Sequence, residues 1–381
     1  MKVLQCFAAE NFAYGGQEEF LMNMFTNFKN ENISYVFYTP FIVNNKKFKK
    51  ISEDKNIEIY SDNKCTKHKI RGKIAIKKGF KNFLKNNKFD VIHIHSGWML
   101  GLYWVAKLAR KEGIKKVIVH SHNTGIASLK SKIYKVIIER NLAKYSDDFL
   151  ACSVSAGKWM FPQSIINNGQ LLIIKNGIDV NKFKFNQISR EKYRKEFGLS
   201  DNELVLLNVG RFSEQKNHKF IVQIAKRLKE ENVKFKFILV GEGELKAQIQ
   251  SEIIGYDLMD NFIFLEKRVD VAEIMSASDI FVLPSIFEGL GIVAIEAQAS
   301  GLQTIVSTEV PNEANLTDLF IKLDFDVDKW INVILDNSKN KRIRESYAMQ
   351  IEDAGYSAKK SAKVLEEIYL GESTNGKDIK C

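Results

Sequence analysis

The stretch that most constrains the fold runs from Asp279 to Gly301, DIFVLPSIFEGLGIVAIEAQASG. A short apolar, β-branched run from Asp279 to Leu283 predicts a buried strand, and Pro284 ends it. A turn with two glycines follows, and the small residues of 292–299 predict a helix. Free backbone N–H groups and the helix dipole converge where such a turn enters a helix. The stretch therefore predicts an anion-binding site.

Two carboxylates distinguish this site from a bare phosphate-binding turn. Glu288 lies in the turn and Glu296 lies eight residues on, about two helical turns away. Carboxylates accept strong hydrogen bonds from vicinal hydroxyls. A nucleotide sugar carries phosphates at one end and hydroxyls at the other, and it would use both features. At this point a surface helix with two solvated acids remains the alternative.

Composition indicates a globular chain with room for two domains. The chain has 381 residues, 45% of them hydrophobic and 27% charged. Its four cysteines are scattered without a CxxC pair, which predicts a reducing compartment and neither a disulfide framework nor structural zinc. The first residues lack the pattern of a signal peptide, and no apolar run approaches the length of a membrane span. We therefore expect a cytoplasmic protein.

The net charge of +11 fits an anionic partner, although a Lys- and Asn-rich composition alone would also produce it. Basic residues concentrate at 64–88, with apolar residues at helical spacing between them. Such a helix could lie peripherally on an anionic membrane face, or it could place its apolar stripe on the sheet and its lysines in water. No nucleic-acid module appears, so nucleic acid is not expected as a partner.

The first half of the chain alternates strand and helix patterns. Gly15 and Gly16 precede a helix that begins near Gln17, without the G-x-G-x-x-G of nicotinamide-binding turns. The predicted strands run from Lys2 to Phe7, Tyr35 to Tyr38, Ile57 to Tyr60, Val91 to His95, Lys116 to His122, Phe149 to Val154 and Leu171 to Ile174.

Four histidines fall near the ends of two of these strands. His93 and His95 are two residues apart, as are His120 and His122, so each pair shares one face of its strand. A metal site is geometrically feasible there. No carboxylate or cysteine completes either pair in the sequence, so hydrogen-bonded histidines without a metal are the favoured interpretation.

The second half opens a new strand and helix series after a polar linker at 179–202. Leu204 to Val209 predicts a strand, Gly210 a turn, and a helix follows from about Gln215. Arg211 and Lys216 flank this helix start, where two cations can bind a diphosphate. Further strands are predicted at 235–241, 261–270 and 303–307, and a last amphipathic helix at 351–370. Three aspartates, Asp324, Asp326 and Asp328, are interpreted as helix N-cap residues rather than as a metal site.

These motifs, in this order, resemble the retaining nucleotide-sugar transferases of glycosyltransferase family 4, which have the GT-B fold. Glu288 and Glu296 match the family's E-x7-E element, Arg211 and Lys216 its diphosphate-binding cations, and His122 its strand-end histidine, with His120 as the alternative. The segments HSHN and AGKWMF resemble the branch that builds bacterial capsular and exopolysaccharide repeat units. The family usually has glycine where Glu266 stands.

The resemblance implies a role for each matching residue. Glu288 and His122 would face the donor sugar, Glu296 would hold the ribose, and Arg268 would lie near the base. We expect the catalytic residues to be Glu288, His122, Arg211 and Lys216. The expected donor-binding residues are Gly16, Gly210, Arg211, Lys216, Gly241, Arg268, Glu288, Gly289, Leu290, Gly291, Ile292 and Glu296.

The resemblance also implies an α/β fold of two Rossmann-like domains facing each other across a cleft. They would be an acceptor-side domain at 1–178 and a donor domain at 203–350, with helix 351–370 returning to the first and 371–381 as a tail. The implied reaction is metal-independent, retaining transfer of a sugar, with UDP as the default base, to a lipid-linked or free saccharide. The alternatives are a nucleotide-sugar 2-epimerase or another GT-B enzyme, and a basic protein that binds anionic surfaces.

Overall fold

The computed structural model describes residues 1–7, 16–61, 69–96, 99–122, 141–338 and 343–372. The chain divides into two compact units, each built on its own parallel sheet. Unit 1 comprises Met1–Gly177 and Ser357–Cys381, and unit 2 comprises Ile178–Tyr356. Both units are Rossmann-like, as expected for the fold class.

Unit 1 contains a seven-stranded parallel sheet in the order β3-β2-β1-β4-β5-β6-β7. The chain winds outward from β1 in one direction and then from β4 in the other. The point between β1 and β4 is therefore the switch point, where ligands bind in open α/β sheets. The strands are β1 Lys2–Phe7, β2 Ser34–Thr39, β3 Glu58–Ser61, β4 Val91–Ser96, β5 Lys116–Ser121, β6 Asp148–Ala151 and β7 Leu171–Ile173.

Two hydrophobic layers cover the sheet of unit 1. One packs around Phe20, Phe25 and the C-terminal helix, and the other around Phe80, Leu102 and neighbours. The helices are α1 Gly16–Asn27, α2 Lys46–Asp54, α3 Lys69–Asn86, α4 Met99–Lys111, α5 Val154–Met160, α6 Gln163–Asn167 and the C-terminal Ala358–Leu370, and residues 141–145 are also helical.

Unit 2 repeats the scheme with a six-stranded parallel sheet in the order β10-β9-β8-β11-β12-β13. Its switch point lies between β8 and β11. Its strands are near-continuous apolar runs because both faces of a parallel sheet are covered. They are β8 Leu204–Val209, β9 Phe235–Val240, β10 Phe262–Leu265, β11 Ile280–Leu283, β12 Gln303–Ser307 and β13 Phe320–Leu323.

The segment predicted as a linker, 179–202, forms two helices of unit 2 instead. Asp179 caps the first and Asn186 the second, and Tyr193 and Phe183 enter the core. Its polar composition reflects the exposed sides of these helices. The helices of unit 2 are α7 Val180–Phe183, α8 Gln187–Glu196, α9 His218–Glu230, α10 Lys246–Gly255, α11 Val271–Ala277, α12 Ile292–Ala299, α13 Val327–Ser338 and α14 Tyr347–Asp353.

The last helix was predicted as one element at 351–370, and this is wrong at its beginning. The chain ends α14 at Asp353, turns at Gly355 (φ +84°) and begins α15, Ala358–Leu370. Only α15 belongs to unit 1. There the Glu366 carboxylate accepts hydrogen bonds from the backbone N–H groups of Lys29 and Asn30, at 2.9 and 2.8 Å.

Two further sequence predictions can be compared with the structure. The Asp326 carboxylate accepts backbone hydrogen bonds from Asp328 and Lys329, so it caps α13 as predicted. In the described part of the basic helix α3, Phe80 and Leu84 are buried in the core while Lys81 is exposed. Within the described ranges, no helix combines the length and apolar character that a bilayer-spanning segment needs. The tail beyond Glu372 lies outside the described residues.

Candidate functional site

The candidate site of unit 2 lies at the carboxyl ends of β8 and β11, the two strands that flank its switch point. The loop after β8 carries Gly210, Arg211 and Lys216, and the loop after β11 carries Glu288. The fold therefore brings together residues that are more than 70 positions apart in the sequence.

An ion pair joins the two loops. Lys216 Nζ lies 2.5 Å from Glu288 Oε1, and the Ser285 hydroxyl donates to the same oxygen at 2.6 Å. The Lys216 and Glu288 side chains are only 16% and 7% exposed. Breaking a buried pair by removing one partner leaves an uncompensated charge, so each residue depends on the other.

Backbone hydrogen bonds hold the same two loops in register. The Ile286 N–H donates to the Gln215 carbonyl at 2.8 Å, and the Gln215 side-chain amide donates to the Phe287 carbonyl at 3.0 Å. Ser307 at the end of β12 donates its hydroxyl to the Ser285 carbonyl at 2.5 Å. Lys216 and Glu288 are thus fixed by their backbones as well as by their charges.

The two predicted glycines after β8 and β9 serve a close approach of backbones. A Cβ on Gly241, whose φ is +150°, would lie 2.1 Å from the Gly210 carbonyl oxygen. A Cβ on Gly210 would lie 3.2 Å from the Lys216 side chain. Glycine at both positions lets the β8 loop fold over the sheet edge and lets the Lys216 stem lie across it.

The second predicted cation, Arg211, is far more exposed. Its guanidinium pairs with Glu244, with Nε and NH2 at 3.1 and 3.0 Å from the carboxylate, and its side chain is 72% exposed. Solvent screens such a pair, so Arg211 can leave Glu244 for another anion at little cost.

The start of α12 completes the arrangement in unit 2. Gly291 is its N-cap in the left-handed region (φ +78°) and brings no side-chain cap, while Leu290 is buried and Gly289 exposed. Ile292 begins the helix, and Glu296 lies one turn further, half-buried. The first N–H groups of such a helix, together with its dipole, favour an anion.

Arg268, predicted near the base, is already engaged. Its guanidinium donates to both oxygens of Asp270, at 2.8 and 2.5 Å, and Tyr193 donates to the same carboxylate at 2.7 Å. These hydrogen bonds lower the pKa of Asp270 to below its ordinary range. The Arg268 guanidinium is therefore held by Asp270 in this arrangement, and its contact with a base stays a prediction.

In unit 1 the structure gathers the four histidines into one buried cluster. They lie on the face of the sheet that α1 and α15 cover, and none is more than 7% exposed. His93 Nε2 lies 3.1 Å from His120 Nδ1, and His95 Nδ1 lies 3.0 Å from His122 Nε2. The Phe20 ring packs against this cluster, 5.1 Å from the His120 ring.

Burial keeps these imidazoles neutral. Desolvation lowers the pKa of His122 to about 3, and it lowers the pKa of the other three well below the ordinary range, with a smaller contribution from neighbouring imidazoles. The cluster is polar but uncharged, in contrast to the ion pairs of unit 2.

A metal at this cluster is the alternative that the sequence left open. Ligand nitrogens of His93, His95 and His120 lie within 4.8 Å of one another. However, both nitrogens of His93 and both of His95 already take part in hydrogen bonds. A metal would have to displace those bonds, so the donor set fits a hydrogen-bonded network better than a coordination site.

Comparison with known proteins decides the family. The profile described as Glycosyltransferase Family 4 matches residues 14–182, and the profile described as Glycosyl transferases group 1 matches residues 189–323. The chain is a family 4 glycosyltransferase. The two profiles fall on the two units in the order that the family's two-domain architecture requires.

Curated relatives are identical to this glycosyltransferase at slightly more than a quarter of the aligned positions. The chain is 28% identical over 292 residues to the putative glycosyltransferase EpsF of Bacillus subtilis, covering 75% of this chain and 76% of EpsF. It is also 28% identical over 308 residues to an Escherichia coli UDP-Gal:alpha-D-GlcNAc-diphosphoundecaprenol alpha-1,3-galactosyltransferase, with the same two coverages.

Solved structures establish the GT-B fold. The Anabaena HepE protein in complex with UDP aligns with a TM-score of 0.75 at 16% identity, covering 97% of this chain and 100% of HepE. WaaG, a glycosyltransferase involved in lipopolysaccharide biosynthesis, aligns with a TM-score of 0.67 at 17% identity over 97% of this chain and 100% of WaaG.

Some residues of the glycosyltransferase were missed by sequence reasoning. Ser285 and Gln215 hold the Lys216–Glu288 pair, and Gln5 and Tyr369 bond to the histidines. The one available signal was Gln5, a polar residue within the otherwise apolar run Val3–Phe7 of β1. The helix α1 begins at Gly16, one residue before the start predicted near Gln17, and residues 8–15 and 123–140 lie outside the described ranges.

Proposed function

We propose that this glycosyltransferase transfers a sugar from a UDP-sugar to a lipid-linked saccharide, with retention of anomeric configuration and without a metal. The observation that carries the proposal is the Lys216–Glu288 pair at the switch point of unit 2, beside Arg211 and the start of α12. It combines a cation for phosphate with a carboxylate for hydroxyls in one crevice.

Departure of the nucleoside diphosphate is the main electrostatic problem of the reaction. The Glu288 carboxylate pairs with Lys216, and the Glu244 carboxylate pairs with Arg211. An incoming diphosphate would compete for both cations and would also meet the first N–H groups of α12. Preorganised groups of this kind contribute roughly 3 kcal/mol each to the stabilisation of developing charge. Two cations and a helix start would perform the work that other transferases assign to a metal.

The donor sugar would then meet the Glu288 carboxylate, and the family resemblance assigns His122 to the same sugar. Glu288 Oε1 accepts from Lys216 and Ser285, which makes it a poor nucleophile and suits attack by the acceptor on the same face that the diphosphate leaves. Glu296 would accept hydrogen bonds from the ribose.

The curated relatives support the substrate classes. The E. coli relative is named for a UDP-galactose donor and a diphosphoundecaprenol-linked acceptor, and HepE was solved with UDP and with UDP-glucose. We extend these classes to this chain and place it in exopolysaccharide or capsule assembly at the cytoplasmic face of a membrane, with α3 as the surface that approaches anionic lipid.

The test is turnover with a panel of UDP-, GDP- and ADP-sugars, each offered with polyprenyl-diphosphate-linked saccharide and with water, in EDTA. The proposal predicts transfer from a UDP-sugar to the lipid-linked acceptor, and the anomeric proton of the product should show the donor's configuration. This result would support the donor class, the acceptor class, retention and metal independence. An isomerised free nucleotide sugar would instead indicate an epimerase. Strict dependence on added divalent metal would overturn the metal-independent mechanism.

A further inference from the structure

A single side-chain amide in unit 1 starts two hydrogen-bond chains through the buried histidines. Gln5 Oε1 lies 2.8 Å from His95 Nε2, and His95 Nδ1 lies 3.0 Å from His122 Nε2. On the other side, Gln5 Nε2 donates to the Tyr369 hydroxyl at 2.9 Å, which lies 2.7 Å from His93 Nδ1. The second chain ends at His120.

The first chain fixes where the protons are. An amide oxygen only accepts hydrogen bonds, so His95 Nε2 must carry a proton. A neutral imidazole has one N–H, so His95 Nδ1 is unprotonated and accepts from His122 Nε2–H. His122 is neutral as well, and its Nδ1 is therefore a bare hydrogen-bond acceptor.

The second chain is fixed by the same amide. The Tyr369 oxygen accepts from Gln5 Nε2, and its own proton points to His93 Nδ1. His93 Nε2 therefore donates to His120 Nδ1, and His120 Nε2 keeps a proton. If the Gln5 amide were turned over, every donor and acceptor in both chains would be exchanged. One amide orientation thus sets four tautomers.

The first chain ends at His122 Nδ1, and this nitrogen is the one that a ligand could reach. His122 Nδ1 is buried and has no hydrogen-bond partner among the described residues. A buried acceptor without a partner is costly, and a ligand hydroxyl that donates to His122 Nδ1 would remove this cost. His122 lies just beyond the carboxyl end of β5, the edge at which ligands of open α/β sheets bind.

We propose that Gln5 and His95 are positioning residues that hold His122 Nδ1 as a hydrogen-bond acceptor for one hydroxyl of the donor sugar. This inference rests on the proposed function, because the hydroxyl belongs to the nucleotide sugar. It makes a definite demand on that sugar: the hydroxyl at the contacted carbon must donate a proton. A fluorine at that carbon can accept but cannot donate, and it would leave His122 Nδ1 unpaired.

The assignment of the tautomers can be tested on the free protein, independently of any activity. Histidine-selective 15N labelling and long-range 1H–15N correlation distinguish protonated from bare ring nitrogens. Expected is a His122 with a bare Nδ1 and a protonated Nε2, and the same tautomer in His95. A proton on His122 Nδ1, or a mixture of the two tautomers, would overturn the inference. Coordination of added Zn²⁺ by these imidazoles in the folded protein would do so as well.

The positioning role is tested by a pair of matched core variants. Gln5→Met keeps the size of the side chain but removes the hydrogen bonds of the amide to His95 and to Tyr369. The donor kcat/KM should fall about tenfold. Tyr369→Phe removes one hydroxyl from the second chain and leaves Gln5 Oε1 on His95, so the donor kcat/KM should stay within about twofold. Equal losses in both variants at similar Tm would show that the cluster only maintains the core.

A set of deoxyfluoro analogues of the accepted UDP-sugar completes the test. One position should lose at least tenfold in kcat/KM in the wild type, and that loss should shrink in His122→Ala. Tolerance of fluorine at every hydroxyl would overturn the contact. Absence of turnover with any nucleotide sugar would contradict the proposed function. The tautomer assignment would not be affected, because the 15N spectrum of the free protein tests it independently.

Discussion

The two units of this glycosyltransferase share a fold but carry different kinds of polar group at their switch points, neutral in unit 1 and charged in unit 2. Unit 1 buries four neutral imidazoles beneath Phe20, whereas unit 2 places two ion pairs at the edge of its sheet. The first arrangement avoids charge altogether, and the second balances it. The parallel sheet provides the position in both units, and burial decides which chemistry that position supports.

The difference follows from the free energy of desolvation. Burying an unpaired charge is far more costly than burying a hydrogen-bonded neutral group. The histidines of unit 1 therefore stay neutral and direct hydrogen bonds, which suits an uncharged hydroxyl. In unit 2 the Lys216 ammonium lies beside the Glu288 carboxylate, an arrangement that suits a phosphate able to replace that carboxylate.

The largest expected effect is a greater acid sensitivity of unit 1 than of unit 2. The lowered pKa values mean that the four histidines stay neutral when folded but gain protons when unfolded. Their contribution is complete above pH 6.5 and is lost as the pH falls below it. At pH 5.5 each group costs about 1.4 kcal/mol, so unit 1 loses roughly 5 kcal/mol.

Hydrogen exchange at pH 7.5 and 5.5 should therefore show unit 1 opening more readily at the lower pH. Unit 2 has one such group, His218, whose pKa burial lowers to about 4. It should lose about 1.4 kcal/mol over the same range. Equal acid sensitivity of the two units would contradict the assignment of neutral histidines to unit 1.

The next effect concerns Arg344, a half-buried cation of unit 2 that is not part of the candidate donor site. The Arg344 guanidinium donates to the carbonyls of Met275, Ser278 and Ser300, at 3.0, 2.9 and 2.9 Å, at the ends of α11 and α12. Arg344→Met should lower the free energy of unfolding by about 3 kcal/mol, because these carbonyls lose a charged donor. The surface variant Arg227→Met is the control, and its denaturant midpoint should stay within error of the wild type. Equal midpoints for both variants would contradict the role of Arg344.

A third effect concerns the role of Lys216 in turnover. Lys216→Ala should reduce kcat about a hundredfold, because the departing diphosphate loses its buried cation. Lys219→Ala removes an exposed lysine three residues on and is the matched control. Steady-state turnover with the accepted UDP-sugar measures both. If Lys219→Ala proved as damaging as Lys216→Ala, general loss of positive charge would explain the result.

The smallest expected effect lies further along α12. Glu296→Ala should raise the KM for the nucleotide sugar about tenfold with little change in kcat, because hydrogen bonds to the ribose act equally in the ground and transition states. Titration of UDP by calorimetry should show the same loss of affinity. An unchanged affinity for UDP would contradict the proposed hydrogen bonds between Glu296 and the ribose.

Much of unit 2 could be predicted from the sequence because its signals are local. The strand at 204–209 and the helix at 292–299 were predicted with their observed bounds. The proximity of Lys216 and Glu288 followed from two strand-turn-helix patterns whose strands end at one sheet edge. Local patterns failed at 179–202, where exposed polar faces hid two helices.

The network of unit 1 could not be predicted in the same way. Gln5 bonds to Tyr369, which is 364 residues away, and neither residue belongs to a motif. The partner of a buried polar side chain depends on which element covers the sheet, and here that element is α15 from the opposite end of the chain. The histidine spacing predicted a shared face, but only the fold shows that His93 pairs with His120 and His95 with His122.

The most direct test of the whole account is the imidazole spectrum of histidine-labelled protein titrated with UDP and then with the complete UDP-sugar. The account predicts that saturating UDP-sugar changes the Nδ1 resonance of His122, as expected when a hydroxyl donates to it, and that UDP alone has a smaller effect. A His122 resonance that stays unchanged at saturating UDP-sugar would contradict the proposed contact between His122 and the donor sugar.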